Sequence, residues 1–174
     1  EIAYGNPSGA LQFLIVSNPF CDYCAVAHKN LERILNRHPN DIGVRIRFYL
    51  TTSDLETESE KSQAISKILN VYLKRVWTND ESLDERNPLA RKIIGDWFEL
   101  GPTAWETEYH PDTLRENDST TIMKIFQNSI QWCEHVGIDQ TPSFFVNGHE
   151  MPNPHTFNDV FLFVTDYIEI LKSK

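Results

Sequence analysis

From Leu11 to Val16 the chain is almost wholly apolar, the pattern of a central strand covered on both faces. From Ala25 to about Arg37 the spacing turns helical, with Val26, Leu31, Ile34 and Leu35 as a core-facing stripe. His38-Pro39-Asn40 ends that helix. Ile42, Val44, Ile46 and Phe48 then alternate with polar residues up to Leu50, a period-2 strand. Strand, helix and strand at these lengths predict a right-handed crossover between parallel strands. Ahead of them, Ile2 to Gly9 reads as an extended leading segment ending in a turn, because Gly, Asn and Pro supply its backbone angles.

Helical spacing takes over from Asp54 to about Val136. The first predicted helix runs from Glu56 to Trp77, with Ile65, Ile68, Leu69, Tyr72 and Val76 on one face. Its early acids and its late Lys74-Arg75 suit the helix dipole. Thr78 to Asn87 reads as a polar, acidic loop. Pro88 starts the next helix with Asn87 as N-cap. Leu89, Ile93, Ile94, Trp97 and Phe98 form its buried side, and Gly101-Pro102 stops it. A short helix follows around Trp105 and Tyr109, ending at His110-Pro111. Asp118 or Ser119 caps the last of this group, which runs to His135 with Gly137 as its stop. Ile122, Phe126, Ile130, Cys133 and Val136 share its apolar face.

Strand character returns at Pro142 to Val146, and Asn147-Gly148 is a strong hairpin turn into a short strand from His149 to about Met151. Pro152-Asn153-Pro154 leads to a final helix with Phe157, Val160, Phe161, Val164, Ile168 and Leu171 inward. The order β-α-β, helical block, β-β-α fits an α/β domain in an α+β arrangement. A helical insertion follows the second core strand. On this reading the sheet domain is built from residues 1–53 and 138–174, and the insertion spans 54–137.

Charge narrows the partners. The net charge is −9, and between Thr51 and Thr120 acids outnumber bases by 15 to 8. No basic patch is concentrated enough for a phosphate backbone, which argues against nucleic acid. No apolar run approaches the roughly 18 residues that span a bilayer. The chain starts at Glu1 without a signal-like segment, which reads as a mature product or an excised domain. Three cysteines make no disulfide framework, and their number leaves the compartment open.

The chemistry concentrates in Ser17-Asn18-Pro19-Phe20-Cys21-Asp22-Tyr23-Cys24, where the apolar strand gives way to the first helix. The i, i+3 spacing puts both sulfurs on one face. A helix N-terminus presents free N–H groups and a positive dipole end, an environment that favours a thiolate. Cys21 reads as the exposed, attacking thiol and Cys24, one turn deeper, as the resolving one. Two other readings stand beside this. Cys21, Cys24 and His28 could form a three-ligand site for copper or zinc, although zinc ordinarily takes four ligands. The pair could also be a structural disulfide. Disulfide exchange between thiols itself needs no cofactor and no resident metal.

With Cys21-Asp22-Tyr23-Cys24 after the first core strand, Thr141-Pro142 opening the third and Asn147-Gly148 turning into the fourth, the chain resembles a thioredoxin-fold thiol–disulfide oxidoreductase of the DsbA-like branch. More narrowly, three stretches are similar to the thioredoxin-like domain fused to bacterial vitamin K epoxide reductase. These are Gly5-Asn6, Asn18-Pro19-Phe20-Cys21-x-x-Cys24-Ala25-x-x-His28, and Trp132-Cys133-Glu134 ahead of Thr141-Pro142.

The resemblance implies a cis Thr141-Pro142 bond beside the sulfurs and backbone groups of Thr141 that hold an extended substrate segment. It implies protein thiols or disulfides as partners, coupling to a membrane vitamin K epoxide reductase-like module, and a periplasmic or other extracytoplasmic location. A redox-silent peptide-binding module, in which the Thr141-Pro142 groove matters more than the sulfurs, is the remaining alternative.

The neighbouring residues carry weaker expectations. Asp22 places negative charge near the attacking sulfur and implies a milder oxidant than a neutral residue there would. Phe20 reads as an apolar rim residue. Tyr23 covers the pair and contacts substrate, or else only covers the helix surface. His28 reads as a partly buried, hydrogen-bonded helix residue, with a catalytic role as the alternative. Cys133 reads as a buried bystander rather than a redox relay. Trp77, Trp97, Trp105 and Trp132 read as packing residues.

Overall fold

The structure is a computed structural model, and it describes residues 1–77, 83–111, 116–151 and 157–173; the side chains of 83–86, 116–117, 157–161 and 163 also lie outside the description. Parts of two expectations fall outside it. These are the loop over 78–82 and the Pro152-Asn153-Pro154 lead-in, together with the inward placement of Phe157, Val160 and Phe161.

The sheet has five strands in the order β1-β3-β2-β4-β5. They are β1 (Ile2–Gly5), β2 (Leu11–Ser17), β3 (Ile42–Phe48), β4 (Ser143–Val146) and β5 (His149–Glu150). As the crossover pattern predicts, β2 and β3 are parallel, joined by α1 (Asp22–Arg37). β4 runs antiparallel to β2, and Asn147 pins their register by accepting from Gln12 N–H at 2.8 Å through Oδ1. The leading segment is more than an extended entrance. Ile2 and Tyr4 are buried, and the segment pairs with β3 as an antiparallel strand. Gly43 permits this close approach, because a Cβ there would meet the Asn6 carbonyl at 2.6 Å.

Among the described residues, five helices lie between β3 and β4: α2 (Thr52–Glu56), α3 (Glu60–Tyr72), α4 (Leu83–Leu100), α5 (Pro102–Tyr109) and α6 (Glu116–Val136); α7 (Phe157–Lys172) follows β5. The sequence reads a single helix over 56–77, but the chain breaks it twice. Glu58 takes φ +47 and Ser59 caps a new helix by accepting from Ser62 N–H. After Tyr72 a π-helical turn, Leu73–Trp77, widens the backbone and turns Trp77 outward, 66% exposed. Trp77 is therefore not a packing residue. Its indole N–H meets the Tyr72 hydroxyl at 3.2 Å instead.

α4 likewise begins at Leu83, before Pro88, which sits exposed inside the helix. A proline is tolerated near a helix start when the carbonyl it leaves free can face water. Asn87 is no cap either, since its amide donates to Gly5 O at 3.0 Å and ties α4 to β1. α6 also starts earlier than the expected Asp118 or Ser119 cap.

Among the described residues, two apolar clusters flank the sheet. The larger contains Leu11, Phe13 and Ile15 of β2, packed with α1, α3, α4 and α6; the smaller contains Val16 with Cys133, Ile138 and Phe145. The alternation along β2 sends successive side chains to opposite faces.

A capping box opens α2. Thr51 N–H donates to Asp54 Oδ2 at 2.8 Å, Ser59 donates to Oδ1 at 2.9 Å, and Lys61 pairs with Oδ2 at 2.7 Å. Burial alone would raise this carboxyl, but the hydrogen bonds from Lys61, Thr51 and Ser59 outweigh it and hold Asp54 at about 2. The folded value lies below the ordinary Asp value of about 4, so the stabilisation is present above about pH 4 and fades as pH falls towards 2. Asp54→Asn is expected to cost on the order of 2 kcal/mol at neutral pH and to flatten the acid limb between pH 4 and 2. Denaturant melts across that range check this.

Candidate functional site

β2 delivers the chain to a turn built by one residue. Asn18 accepts from Phe20 N–H through Oδ1 at 3.0 Å and from Cys21 N–H through its carbonyl at 3.2 Å. Its own N–H donates to Cys24 Sγ at 3.4 Å. Proline at 19 suits the turn because its φ is fixed and its nitrogen needs no partner. The Pro19 carbonyl, buried, accepts from the indole N–H of Trp97 at 2.9 Å.

Helix α1 starts three residues earlier than the apolar spacing suggests, so Cys21 is itself the N-cap. Its sulfur accepts from Cys24 N–H at 3.4 Å, taking the place a Ser or Asp oxygen usually fills. Cys21 is half-buried and Cys24 fully buried. The Cys21 thiol donates to the Thr141 carbonyl at 3.5 Å, which sets the Thr141-Pro142 loop against the exposed sulfur. The Thr141-Pro142 bond is cis. Thr141 and Pro142 are both half-buried.

Burial pushes the Cys24 thiol up to about 11. The Asn18 N–H and the Ser17 hydroxyl favour its thiolate, while Cys21 opposes it. Burial also holds His28 down at about 3, so the ring is neutral through the physiological range. Its Nε2 meets Ser17 Oγ at 3.1 Å, and its ring stacks on Phe98 at 4.4 Å between centroids. His28 is thus wholly rather than partly buried. Among the described residues, no group of three or more His, Cys, Asp or Glu side chains is placed to hold a metal ion.

The rim is apolar. Phe20 is 43% exposed with its ring edge-on to Trp97, and Tyr23 is 79% exposed. Val26, expected in the core, is 53% exposed beside them. The buried stripe of α1 is instead Cys24, Ala27, His28, Leu31, Ile34 and Leu35, and Val26 falls on the far side of that stripe. Cys133 is buried against Val16, Ile138 and Phe145, and burial raises its thiol. Sequence reasoning missed Ser17 and the triple use of Asn18. The signal for Ser17 was one hydroxyl ending an otherwise apolar strand.

Among the described residues, no helix is long and apolar enough to cross a membrane. No curated protein is similar enough in sequence to match. Solved structures do share the fold. The catalytic domain of Proteus mirabilis ScsC superposes with a TM-score of 0.65 at 17% identity, over 96% of this chain and 88% of that one. The thiol-disulfide exchange protein alpha-DsbA2 from Wolbachia pipientis gives 0.65 at 11% identity, over 97% and 86%. Oxidised BdbD from Bacillus subtilis gives 0.63 at 16%, over 100% and 94%. At identities this low the shared property is the fold. A family model described as thioredoxin matches residues 1–166, nearly the whole chain, and the chain therefore belongs to the thioredoxin family.

Proposed function

We propose that this thioredoxin-family oxidoreductase exchanges disulfides with protein substrates through Cys21 and Cys24. One observation carries the reading: a half-exposed sulfur caps a helix beside the Thr141 carbonyl, and a second sulfur lies buried one turn in. In the reduced protein, the Cys21 thiolate attacks a partner disulfide, forming a mixed disulfide and releasing one partner thiolate. Cys24 then attacks the Cys21 sulfur. The internal disulfide forms, and the second partner thiolate leaves. The oxidised protein runs the same steps backwards on a substrate dithiol.

Thr141 and Pro142 are assigned to the substrate backbone. The Thr141 carbonyl that meets Cys21 is available to an extended segment once the thiol proton is gone. Phe20 and Tyr23 are assigned to substrate side chains, since both are exposed and apolar next to Cys21. An extracytoplasmic location is part of the proposal, supported by a fold neighbour described as a periplasmic thioredoxin-like protein from Salmonella enterica, matched with a TM-score of 0.61. The electron partner we assign is a membrane module of the vitamin K epoxide reductase type. Its support is the sequence likeness around Gly5-Asn6, Asn18 to His28 and Trp132 to Glu134.

Equilibration in glutathione buffers, with mass-tagging of free thiols, tests the exchange reading. A two-electron couple confined to Cys21 and Cys24 is expected. A potential near about −120 mV marks a disulfide donor and one near about −270 mV a reductase. No couple between these cysteines defeats the reading.

A further inference from the structure

Thiol resolution in a buried site poses an electrostatic problem. Cys24 must become a thiolate to attack, yet it is fully buried. Among the described residues, the side chains that bear on the Cys24 thiol are Cys21, which opposes its thiolate, and Ser17, which favours it, and burial is what bears on His28. The groups that do face the pair come from three elements. β2 brings Ser17, the turn brings Asn18, and α4 brings Phe98 against the His28 ring. Neither a carboxylate nor an ammonium is among them.

Ser17 and His28 are both buried polar residues, 0% and 3% exposed, on an otherwise apolar interface. A buried polar pair is costly unless it is satisfied, and the two side chains meet each other at 3.1 Å, with Asn18, the next residue after Ser17, donating its N–H to Cys24 Sγ at 3.4 Å. Proton bookkeeping fixes the direction of the chain. The Ser17 hydroxyl has one proton. If it goes to the Cys24 sulfur, Ser17 Oγ can only accept from His28, so Nε2 must carry the imidazole proton.

We propose that Ser17 and His28 are positioning residues, in which His28 Nε2–H donates to Ser17 Oγ and thereby aims the Ser17 hydroxyl proton at Cys24 Sγ. With the Asn18 N–H, this gives the resolving sulfur two neutral donors, one from a side chain and one from the backbone. When Cys24 attacks the mixed disulfide, the Cys21–Cys24 bond forms, the bond from Cys21 to the substrate breaks, and the electron pair leaves on the substrate sulfur. The thiol proton of Cys24 has already gone to solvent. The negative charge stays on Cys24 Sγ, and the Ser17 hydroxyl stabilises it by donating a hydrogen bond. His28 is neutral throughout and supplies a hydrogen bond, not a charge. The inference rests on the exchange reading above, which it deepens by naming how the second step is made possible.

The test uses the Cys21→Ala, Cys133→Ala background, in which Cys24 is the sole thiol, and follows thiolate absorbance against pH. Adding Ser17→Ala is expected to raise the Cys24 midpoint by about one unit, the scale of a hydrogen bond to a charged group. His28→Phe, which keeps a ring against Phe98, is expected to raise it too. His28→Gln, which restores an N–H at similar reach, is expected to bring it back.

In a Cys133→Ala background, Ser17→Ala should slow resolution of a glutathione mixed disulfide at Cys21 about tenfold below the new midpoint, since one unit is a tenfold change in thiolate. Alkylation of Cys21 in a Cys24→Ala background should not change. An unmoved midpoint in Ser17→Ala overturns the proposal. A midpoint that rises in Ser17→Ala but not in His28→Phe overturns the part given to His28. The titration needs no turnover, so failure of the exchange reading, seen as absence of a glutathione couple in the unmodified protein, remains separate.

Discussion

A Cys24→Ala variant is expected to accumulate as a mixed disulfide with its substrates, whereas Cys21→Ala forms no such adduct and loses exchange by about a thousandfold or more, the scale on which removal of a nucleophile registers. The two effects differ because the two sulfurs sit in different places. Cys21 caps the helix, is half-buried and lies against the Thr141 carbonyl, so a partner can reach it. Cys24 has no exposed surface, its sulfur accepts from the Asn18 N–H and its own N–H donates to the Cys21 sulfur, so a partner cannot reach it directly.

Neither change should unfold the protein. Losing the cap at Cys21 costs about 1 kcal/mol, and the small cavity at Cys24 costs a similar amount. Melting curves check that, and nonreducing gels with mass spectrometry count the adducts. In the unmodified protein the resolution rate should rise tenfold per pH unit through the neutral range, because burial holds the Cys24 thiol near 11 and only its thiolate attacks. An adduct equally abundant in Cys21→Ala would place the attacking thiol elsewhere.

The reactive pair was legible in the sequence because its signal is local. Two cysteines three apart, at the switch from an apolar strand to a helix, need only the backbone to define their environment. The parallel crossover of β2 and β3 was legible for the same reason, through period-2 and helical spacing within 40 residues. The rest depends on contacts that sequence spacing does not encode. β1 alternates buried Ile2 and Tyr4 as a strand should, but four residues are too few to separate from an extended tail, and what makes it a strand is β3. Pro88 carries a strong helix-start signal, and tertiary contact overrode it once Asn87 found the Gly5 carbonyl. Val26 was misplaced by helix phase. Starting the helix at Ala25 rather than Asp22 left Cys24 out of the stripe that defines its inner face, and Ala27 and His28, too small or too polar to count as core, were passed over for Val26.

The same limit applies inside the site. Asn18 could be read as a turn residue, but its N–H reaching Cys24 required the fold. Ser17 and His28 stand 11 residues apart, and only the packing of α1 on β2 brings them to 3.1 Å. The Asn18 N–H that reaches the Cys24 sulfur at 3.4 Å comes from a turn whose backbone the fold sets. What the helical insertion adds was the least legible part, since its contact with the active-site turn spans 78 residues.

Replacing Trp97 is expected to show what that contact does. The indole is 2% exposed, edge-on to Trp105 at 5.2 Å between centroids, and in contact with the Phe20 ring at 6.1 Å. Truncation to alanine leaves a large cavity and should cost about 3–5 kcal/mol, enough to lower the melting temperature by roughly 10 °C in a chain of this length. Trp97→Phe separates volume from hydrogen bonding. It keeps an aromatic ring in the core but removes the N–H that the buried Pro19 carbonyl accepts. An unmet buried carbonyl costs about 1–3 kcal/mol, and here that cost falls on the turn that carries Cys21. The expected result for Trp97→Phe is therefore a modest loss of stability together with altered alkylation of Cys21 and a shifted glutathione equilibrium. Loss of stability alone, with the Cys21 rate and the equilibrium unchanged, would make Trp97 a core residue that merely lies beside the turn. Movement of both would show that α4 holds the active-site turn in place, which gives the helical insertion a part in tuning the exchange.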